Sequence, residues 1–356
     1  MTNVKIIAEA GVNHNGDLQL ALELVDAAAE AGVDIVKFQT FKAANIVTKK
    51  ASKANYQQQT TDAAESQYDM LKRLELSYDA HFELVERCNN RGISFLSTAF
   101  DAESLGFLVK ELRLPMLKIP SGEITNAPLL LEHAYAGVEL VVSTGMASLG
   151  EIEEALGVLA YGLMQGDCPK RESFREAYSS LEGQELLKEK VTLLHCTSEY
   201  PAPFDQINLN AMKTLEQAFG LPVGYSDHSA GIAVPIAAVA LGAPVIEKHF
   251  TLDKSLEGPD HKASLDPREL ATMVGSMREI ERALGSSLKS PTIAEQKTLQ
   301  VVRKSLVAQT SIKAGEVFSV DNIAVKRPAQ GVSPILYWDL LGKVSDRDYE
   351  EDQLIL

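Results

Sequence analysis

Residues 4–40 read VKIIAEAGVNHNGDLQLALELVDAAAEAGVDIVKFQT, and this stretch decides the fold. Val4–Ala10 is a short apolar run of strand length. Leu18–Ala31 spaces its apolar residues as an amphipathic helix does, and Ile35–Thr40 returns to a short β-branched run. Strand, helix and strand in this order predict two parallel strands joined by a crossover helix. No GxGxxG follows the first strand, which removes the main sequence support for a dinucleotide-binding fold.

The alternation continues outward from that unit. Further strands are predicted at Ser94–Ala99, Met116–Ser121, Glu139–Thr144, Val191–Thr197, Val223–Ser226 and Pro244–Phe250, with helical patterns such as Ala80–Arg91, Ser104–Leu112 and Leu149–Met164 between them. Eight βα units over residues 1–285, closed by a helix from about Pro267 to Leu284, favour an α/β fold of the (β/α)8 TIM-barrel type over an open sheet. GSSLKSPT then opens a stretch, residues 286–300, that reads as a linker. From about Lys304 the texture changes to short runs broken by the turn words KAGE and PAQG. Residues 301–356 are therefore predicted to form a small β-rich domain, too small at about 55 residues to be comfortable without docking.

Composition limits the function. The chain has 356 residues, 45% of them hydrophobic, and a net charge of −15, which argues against a nucleic-acid binder. Cys88, Cys168 and Cys196 are odd in number and widely spaced, fitting reduced cytosolic thiols. The opening residues carry no basic leader pattern, and the apolar stretch Gly231–Ile246 holds two prolines and is too short for a bilayer. A cytoplasmic protein without membrane association is the expectation.

In a barrel of this kind the active site lies at the C-terminal ends of the strands. Here those ends carry Glu9, Lys37 with Gln39, Ser97-Thr98, Lys118 with Ser121-Gly122-Glu123, Ser143, His195 through Ser198 to Tyr200, Ser226-Asp227-His228, and Glu247-Lys248-His249. Any one Lys or Glu alone reads as a solvated strand end. Eight polar ends together do not, because charge over an apolar interior is costly unless a ligand pairs it. Lys37 and Gln39 share one face of their strand, as Glu247 and His249 do of theirs. His228 and His249 end consecutive strands about 4.8 Å apart, so both imidazoles can reach one ion. His195 is a weaker third candidate, read as a packing residue. Lys37 and Lys118 are the cations for a phosphorylated ligand, with Ser121, Ser143 and Ser226 as donors around it. Glu9 and Glu123 are the acid–base candidates.

The words AEAGVNHNGD, VKFQTF, LSTAFD, LKIPSGEITN, VSTGM, LHCTSEYPAP, GYSDHS, IEKHFTLDKSLEGPDHKASLDP and VKRPAQG, in this order, resemble the sialic acid synthase family, the phosphoenolpyruvate-dependent nonulosonic acid synthases. The resemblance covers essentially the whole chain, and residues 301–356 resemble the antifreeze-like (SAF) domain of that family. It implies a transferase that joins phosphoenolpyruvate to an N-acyl mannosamine-type sugar and releases phosphate by C–O cleavage. A divalent ion, Mn²⁺ or Mg²⁺, would activate the aldehyde. By position, His228 and His249 match the metal ligands, and Lys37, Thr98, Lys118, Ser121, Ser143 and Ser226 match phosphoenolpyruvate-binding positions. Ser198, where some of these synthases have asparagine, belongs with them. Glu9, Gln39, Glu123, Tyr200 and Asp260 match sugar-contacting or acid–base positions. Arg327 matches an arginine inserted into the partner subunit's site, which implies a domain-swapped homodimer. AEAGVNHNGDL, SGEITN, YPAPF and DHKASLDP are closest to the legionaminic acid branch, whose acceptor is 2,4-diacetamido-2,4,6-trideoxymannose; N-acetylmannosamine is the rival acceptor. A pyruvate aldolase is disfavoured by the final domain and the lack of a Schiff-base context, and a non-catalytic barrel by the intact strand ends. Residues 165–190 look longer than usual and have no functional reading.

Overall fold

In the computed structural model, which describes residues 3–53, 57–58, 61–62 and 65–356, the chain divides into two compact units, Met1–Gly285 and Ser286–Leu356. The first holds eight parallel strands: β1 Lys5–Gly11, β2 Ile35–Thr40, β3 Ser94–Ala99, β4 Met116–Ile119, β5 Glu139–Ser143, β6 Val191–Cys196, β7 Val223–Asp227 and β8 Val245–His249. They pair in chain order, and β1 closes the barrel against β8.

Side chains alternate across each strand, so two kinds of surface arise from one chain. Outward residues such as Ile6, Val36, Phe38, Leu117 and Ile246 join the main core beneath the helices. Helix Leu18–Glu30 meets them with Ala21, Leu24, Val25 and Ala28, a spacing that keeps one apolar face. Inward, Ile7, Ile35, Leu96, Val141, Leu194 and Val245 form a separate buried layer, with Met116 packed against it. That layer is too crowded to admit a side chain from β7: a Cβ on Gly224 would lie 2.3 Å from the Val245 carbonyl oxygen and 2.7 Å from Leu194 Cδ2. One step further the inward residue is polar on every strand but β6, where it is the Cys196 thiol.

Helix starts follow local chemistry. The Asp17 carboxylate accepts from the Gln19 and Leu20 amides, and Asp266 and Glu269 form a reciprocal capping box around Pro267 for the closing helix Pro267–Leu284. β4 ends earlier than predicted, at Ile119, because Pro120 has no N–H for the ladder, and Ser121–Glu123 coil into a single 3₁₀ turn. Residues 165–190 fold as two helices, Arg171–Ser179 and Leu181–Lys190, hinged at Ser180. Phe174 of the first meets Tyr161 of helix Leu149–Leu163, ring centroids 5.2 Å apart. Among the described residues no helix is long and apolar enough to cross a membrane.

In the second unit, the stretch read as a linker carries helix Ile293–Val302, started by a capping box between Thr292 and Glu295. β9 Ser305–Ala308 and β10 Ile323–Lys326 pair antiparallel, and single bridges join Ile312 to Tyr349 and Val317 to Val344. Leu306, Ala308, Ile312, Phe318, Ile323, Tyr349 and Ile355 are its whole buried apolar cluster among the described residues.

The buried histidines predict an acid limb of stability. His133, in helix Ala127–Tyr135, lies 2.8 Å through Nδ1 from the Leu129 carbonyl, and burial lowers its pKa to about 4. His14 and His261 are likewise pushed down by burial, to about 3 and about 4. Between about pH 6.5 and pH 4 the unfolded chain takes up a proton that each folded imidazole refuses, so stability falls as pH falls, by about 1.4 kcal/mol per unit per histidine. His133→Gln is expected to make the decline of thermal midpoint with pH shallower over that window; an unchanged slope counts against His133 as a contributor.

Candidate active site

Strand register sets the mouth of the barrel. Glu9 stands opposite Lys37 on one side and His249 on the other; Thr98 stands opposite Lys118, and Ser226 opposite Glu247. His249 apart, these are the inward residues one step above the apolar layer, so four ionisable groups, Glu9, Lys37, Lys118 and Glu247, are buried side by side. Lys37 Nζ lies 2.5 Å from Glu9 Oε2, 3.1 Å from Thr98 Oγ1 and 3.7 Å from Glu247 Oε2. Lys118 Nζ donates to Ser143 Oγ at 2.7 Å and lies 3.9 Å from Glu247 Oε1, which also accepts from Ser226 at 3.0 Å. Gln39 donates to Glu9 Oε1 at 3.2 Å.

The environment sorts these groups. Burial is the largest influence on Glu9 and raises its pKa to about 7, against the pull of Lys37. Burial also pushes Glu247 upward, but Lys118 and Lys37 together outweigh it and hold that carboxyl below its ordinary value. Burial works against the Lys37 ammonium, yet Glu247 and Glu9 prevail and keep it firmly charged. At Lys118 burial wins, and its pKa falls. Two lysines thus face one carboxyl held below its ordinary value and one raised to about 7, an arrangement suited to receiving an anion.

A second cluster stands at the ends of β7 and β8. His228 and His249 have ring centroids 5.6 Å apart, and Tyr200 packs 4.2 Å from the first and 5.6 Å from the second. His228 Nδ1 donates to the Thr197 carbonyl at 2.6 Å, which turns the Nε2 lone pair toward Tyr200 and Ser226. His249 Nδ1 has no hydrogen-bond partner among the described residues. Burial lowers both pKa values, so both rings are neutral. On the outer face of the same strands, Lys248 and Asp227 form a fully buried ion pair of 2.6 Å. Tyr225 and the Ser229 amide bond the same carboxylate, fixing the backbone on either side of His228.

At the end of β5 a third feature depends on a missing atom. A Cβ on Gly145 would fall 2.5 Å from Ser198 Oγ, 2.8 Å from Ser121 Oγ and 2.9 Å from Cys196 Sγ. Glycine leaves that cradle open, and its amide already points at Ser121 Oγ, 3.0 Å away.

One cavity of about 380 Å³ joins the three features, a size suited to small molecules. Glu9, Lys37, Gln39, Thr98, Lys118, Ser121, Glu123, Ser143, Ser198, Tyr200, Ser226, His228, His249 and Asp260 all line it. The Asp260 carboxyl is raised to about 6 by burial, and Glu123 is held by Asn126 at 2.7 Å. Arg327 belongs to the second unit. His195 bonds the Ile207 carbonyl at 2.7 Å and stacks near Tyr225, behind the strand, in a packing position. Three contributions carried no assigned role in the sequence. Glu247, the shared partner of both lysines, shares strand parity with His249, and that parity was its signal. Cys196 had only its strand-end position. The apolar lining from residues 41–74 had no local signal, since its chemistry depends on where that segment folds back.

A closed (β/α)8 barrel whose mouth holds paired lysines and carboxylates beside two neutral histidines is the framework of an enzyme. The chain belongs to the NeuB family, which it matches over residues 24–289, and residues 303–356 match the SAF domain. The N,N'-diacetyllegionaminic acid synthase of Campylobacter jejuni is 51% identical over 355 residues, covering 100% of this chain and 99% of its own. That of Legionella pneumophila is 47% identical over 337 residues, or 95% and 89% of the two chains. The crystal structure of an N-acetylneuraminic acid (sialic acid) synthetase from Leptospira borgpetersenii in complex with citrate superposes with a TM-score of 0.66 at 36% identity, covering 83% of this chain and 90% of that one.

Glu247→Gln tests the electrostatic core. It leaves two buried ammonium groups without their shared counter-charge, and denaturant unfolding is expected to show a loss of about 3–5 kcal/mol. A loss below about 1 kcal/mol, the scale of a surface pair, contradicts the shared-partner role.

Proposed function

We propose that this enzyme condenses phosphoenolpyruvate with an N-acyl mannosamine-type sugar, 2,4-diacetamido-2,4,6-trideoxymannose, to give N,N'-diacetyllegionaminate and phosphate. The observation that carries the reading is the buried pair Lys37 and Lys118 within one cavity with two neutral histidines. Full-length identity of 51% to a synthase of that acid supports the acceptor.

In this reading Lys37, Lys118 and Thr98 hold the carboxylate and phosphate of phosphoenolpyruvate, and the hydroxyls of Ser121, Ser143, Ser198 and Ser226 complete the anion site. The donor's C3 forms the new C–C bond to the sugar aldehyde carbon. A proton reaches the new alkoxide oxygen from a carboxyl, for which Glu9, raised to about 7 by burial, is suited. Water then adds at C2 with loss of a proton to a base such as Glu123, and the C2–O bond to phosphate breaks. Gln39, Tyr200 and Asp260 orient the sugar. His228 and His249 would hold a divalent ion, Mn²⁺ or Mg²⁺: their rings are adjacent and neutral, and one nitrogen is unpartnered. Such an ion supplies Lewis-acid polarisation of the aldehyde.

We further propose a two-fold dimer in which Arg327 serves the partner subunit's barrel. The second unit exposes Ile335, Leu336 and Trp338, an apolar surface that a docked appendage would cover.

Phosphate release measured with phosphoenolpyruvate and each acceptor tests the reaction. Turnover is expected with phosphoenolpyruvate and not with pyruvate, higher kcat/KM for the 2,4-diacetamido sugar than for N-acetylmannosamine, and loss of activity on chelation. His249→Ala is expected to stay folded and lose the ion. Equal or reversed specificity constants move the acceptor to N-acetylmannosamine, and full turnover in exhaustively metal-free protein removes the ion from the scheme.

Complementation tests the swap. Arg327→Ala and His228→Ala, each inactive alone, are expected to recover about a quarter of wild-type activity when refolded together, because about half the dimers are mixed and each mixed dimer has one intact site. No recovery means that Arg327 serves its own barrel.

A further inference from the structure

The cavity has two chemically opposed sides. Its floor and one flank carry the lysines, carboxylates and histidines. The opposite flank comes from the excursion after β2, where apolar side chains line the cavity beside two amides, Gln57 and Gln67, and no charged side chain among the described residues reaches it. Helix Gln67–Leu74 sits on that flank, with Met70 and Leu74 buried against Phe41. Half-buried Ile46, Leu71 and Phe100 pack over this small cluster and turn their remaining surface to the cavity. The cluster is separate from the main core.

Apolar side chains left half-covered inside a polar enzyme mouth are completed by an apolar ligand group. The reacting end of the acceptor must lie against the polar floor, which leaves its far end for this flank. We infer that the wall of Ile46, Leu71 and Phe100 receives the C6 methyl of a 6-deoxy sugar and is what disfavours acceptors bearing a C6 hydroxymethyl. The inference rests on the condensation proposed above and adds the source of its discrimination. The side chains of Ile46, Leu71 and Phe100 carry no hydrogen-bonding group, so a C6 hydroxymethyl seated against them rather than against Gln57 or Gln67 loses water without compensation. The methyl loses nothing and gains contact.

The test uses two acceptors that differ only at C6: 2,4-diacetamido-2,4,6-trideoxymannose and its 6-hydroxy counterpart. With phosphoenolpyruvate and Mn²⁺, wild type is expected to favour the 6-deoxy sugar by about tenfold or more in kcat/KM, the scale set by one small group in an apolar pocket. Leu71→Gln and Ile46→Thr are each expected to shrink that ratio about tenfold while the KM for phosphoenolpyruvate stays unchanged. Leu71→Met, which keeps the wall apolar, is expected to retain the ratio. Calorimetric binding of the two sugars to the same proteins provides a reading independent of turnover, with tighter binding of the 6-deoxy sugar lost in Leu71→Gln. Equal kcat/KM and equal binding in wild type, or a ratio unmoved by both polar variants, overturns the inference. Absence of phosphate release with either sugar, beside a retained binding preference, instead overturns the condensation and leaves the wall standing.

Discussion

Two lysines and two glutamates lie buried in the barrel mouth, and each depends on the others. Taking an isolated ammonium or carboxylate out of water costs several kcal/mol even after relaxation, so none of the four would stay charged alone. Glu247 resolves this by standing between Lys37 and Lys118, while Glu9 and Thr98 hold the far side of Lys37. The compensation is incomplete by design of the strand ends, since Glu9 is pushed to about 7 and Lys118 is pulled down. An incoming anion would relieve what the protein leaves unbalanced, and this connects the fold to binding.

The barrel supplies the rigidity that such a balance needs. Lys37, Thr98, Lys118, Ser143, Ser226 and Glu247 come from six different strands, and every strand is locked to two neighbours by ladder hydrogen bonds. The outer faces contribute too. Lys248 and Asp227 close a buried ion pair behind β7 and β8, so the segments bearing His228 and His249 are tied together from outside while the imidazoles face inward. Sites carried on strands tied in this way hold distances that loops would not. What the loops supply is shape: the Gly145 cradle on one side and the apolar flank from residues 41–74 on the other.

The second unit follows a different logic. Seven residues make its buried apolar cluster, and helix Ile293–Val302 buries no residue at all. A module of this size is marginal alone, and its exposed apolar side chains are what docking would cover.

The sequence by itself determined the barrel, its eight strands and the residues that face its mouth. Period-two alternation with helical spacing between strands is local information, and parity carries it to the inner face: Glu9, Lys37, Lys118 and Glu247 can be read as inward from their strands alone. The ordered motifs also carried the family. Three things were decided only by tertiary structure. Glu247 became the shared counter-ion because the ladder sets β8 against β1 and β7, a pairing between residues far apart in the chain. The values that separate Glu9 from Glu247 arise from burial and from neighbours on other strands. The apolar wall exists only because the segment after β2 folds back over the mouth, and hydrophobic residues in that stretch look like any small core until the cavity beside them is seen. Local spacing fixes which way a side chain points; what it meets there depends on closure of the barrel, and closure is a property of the whole chain.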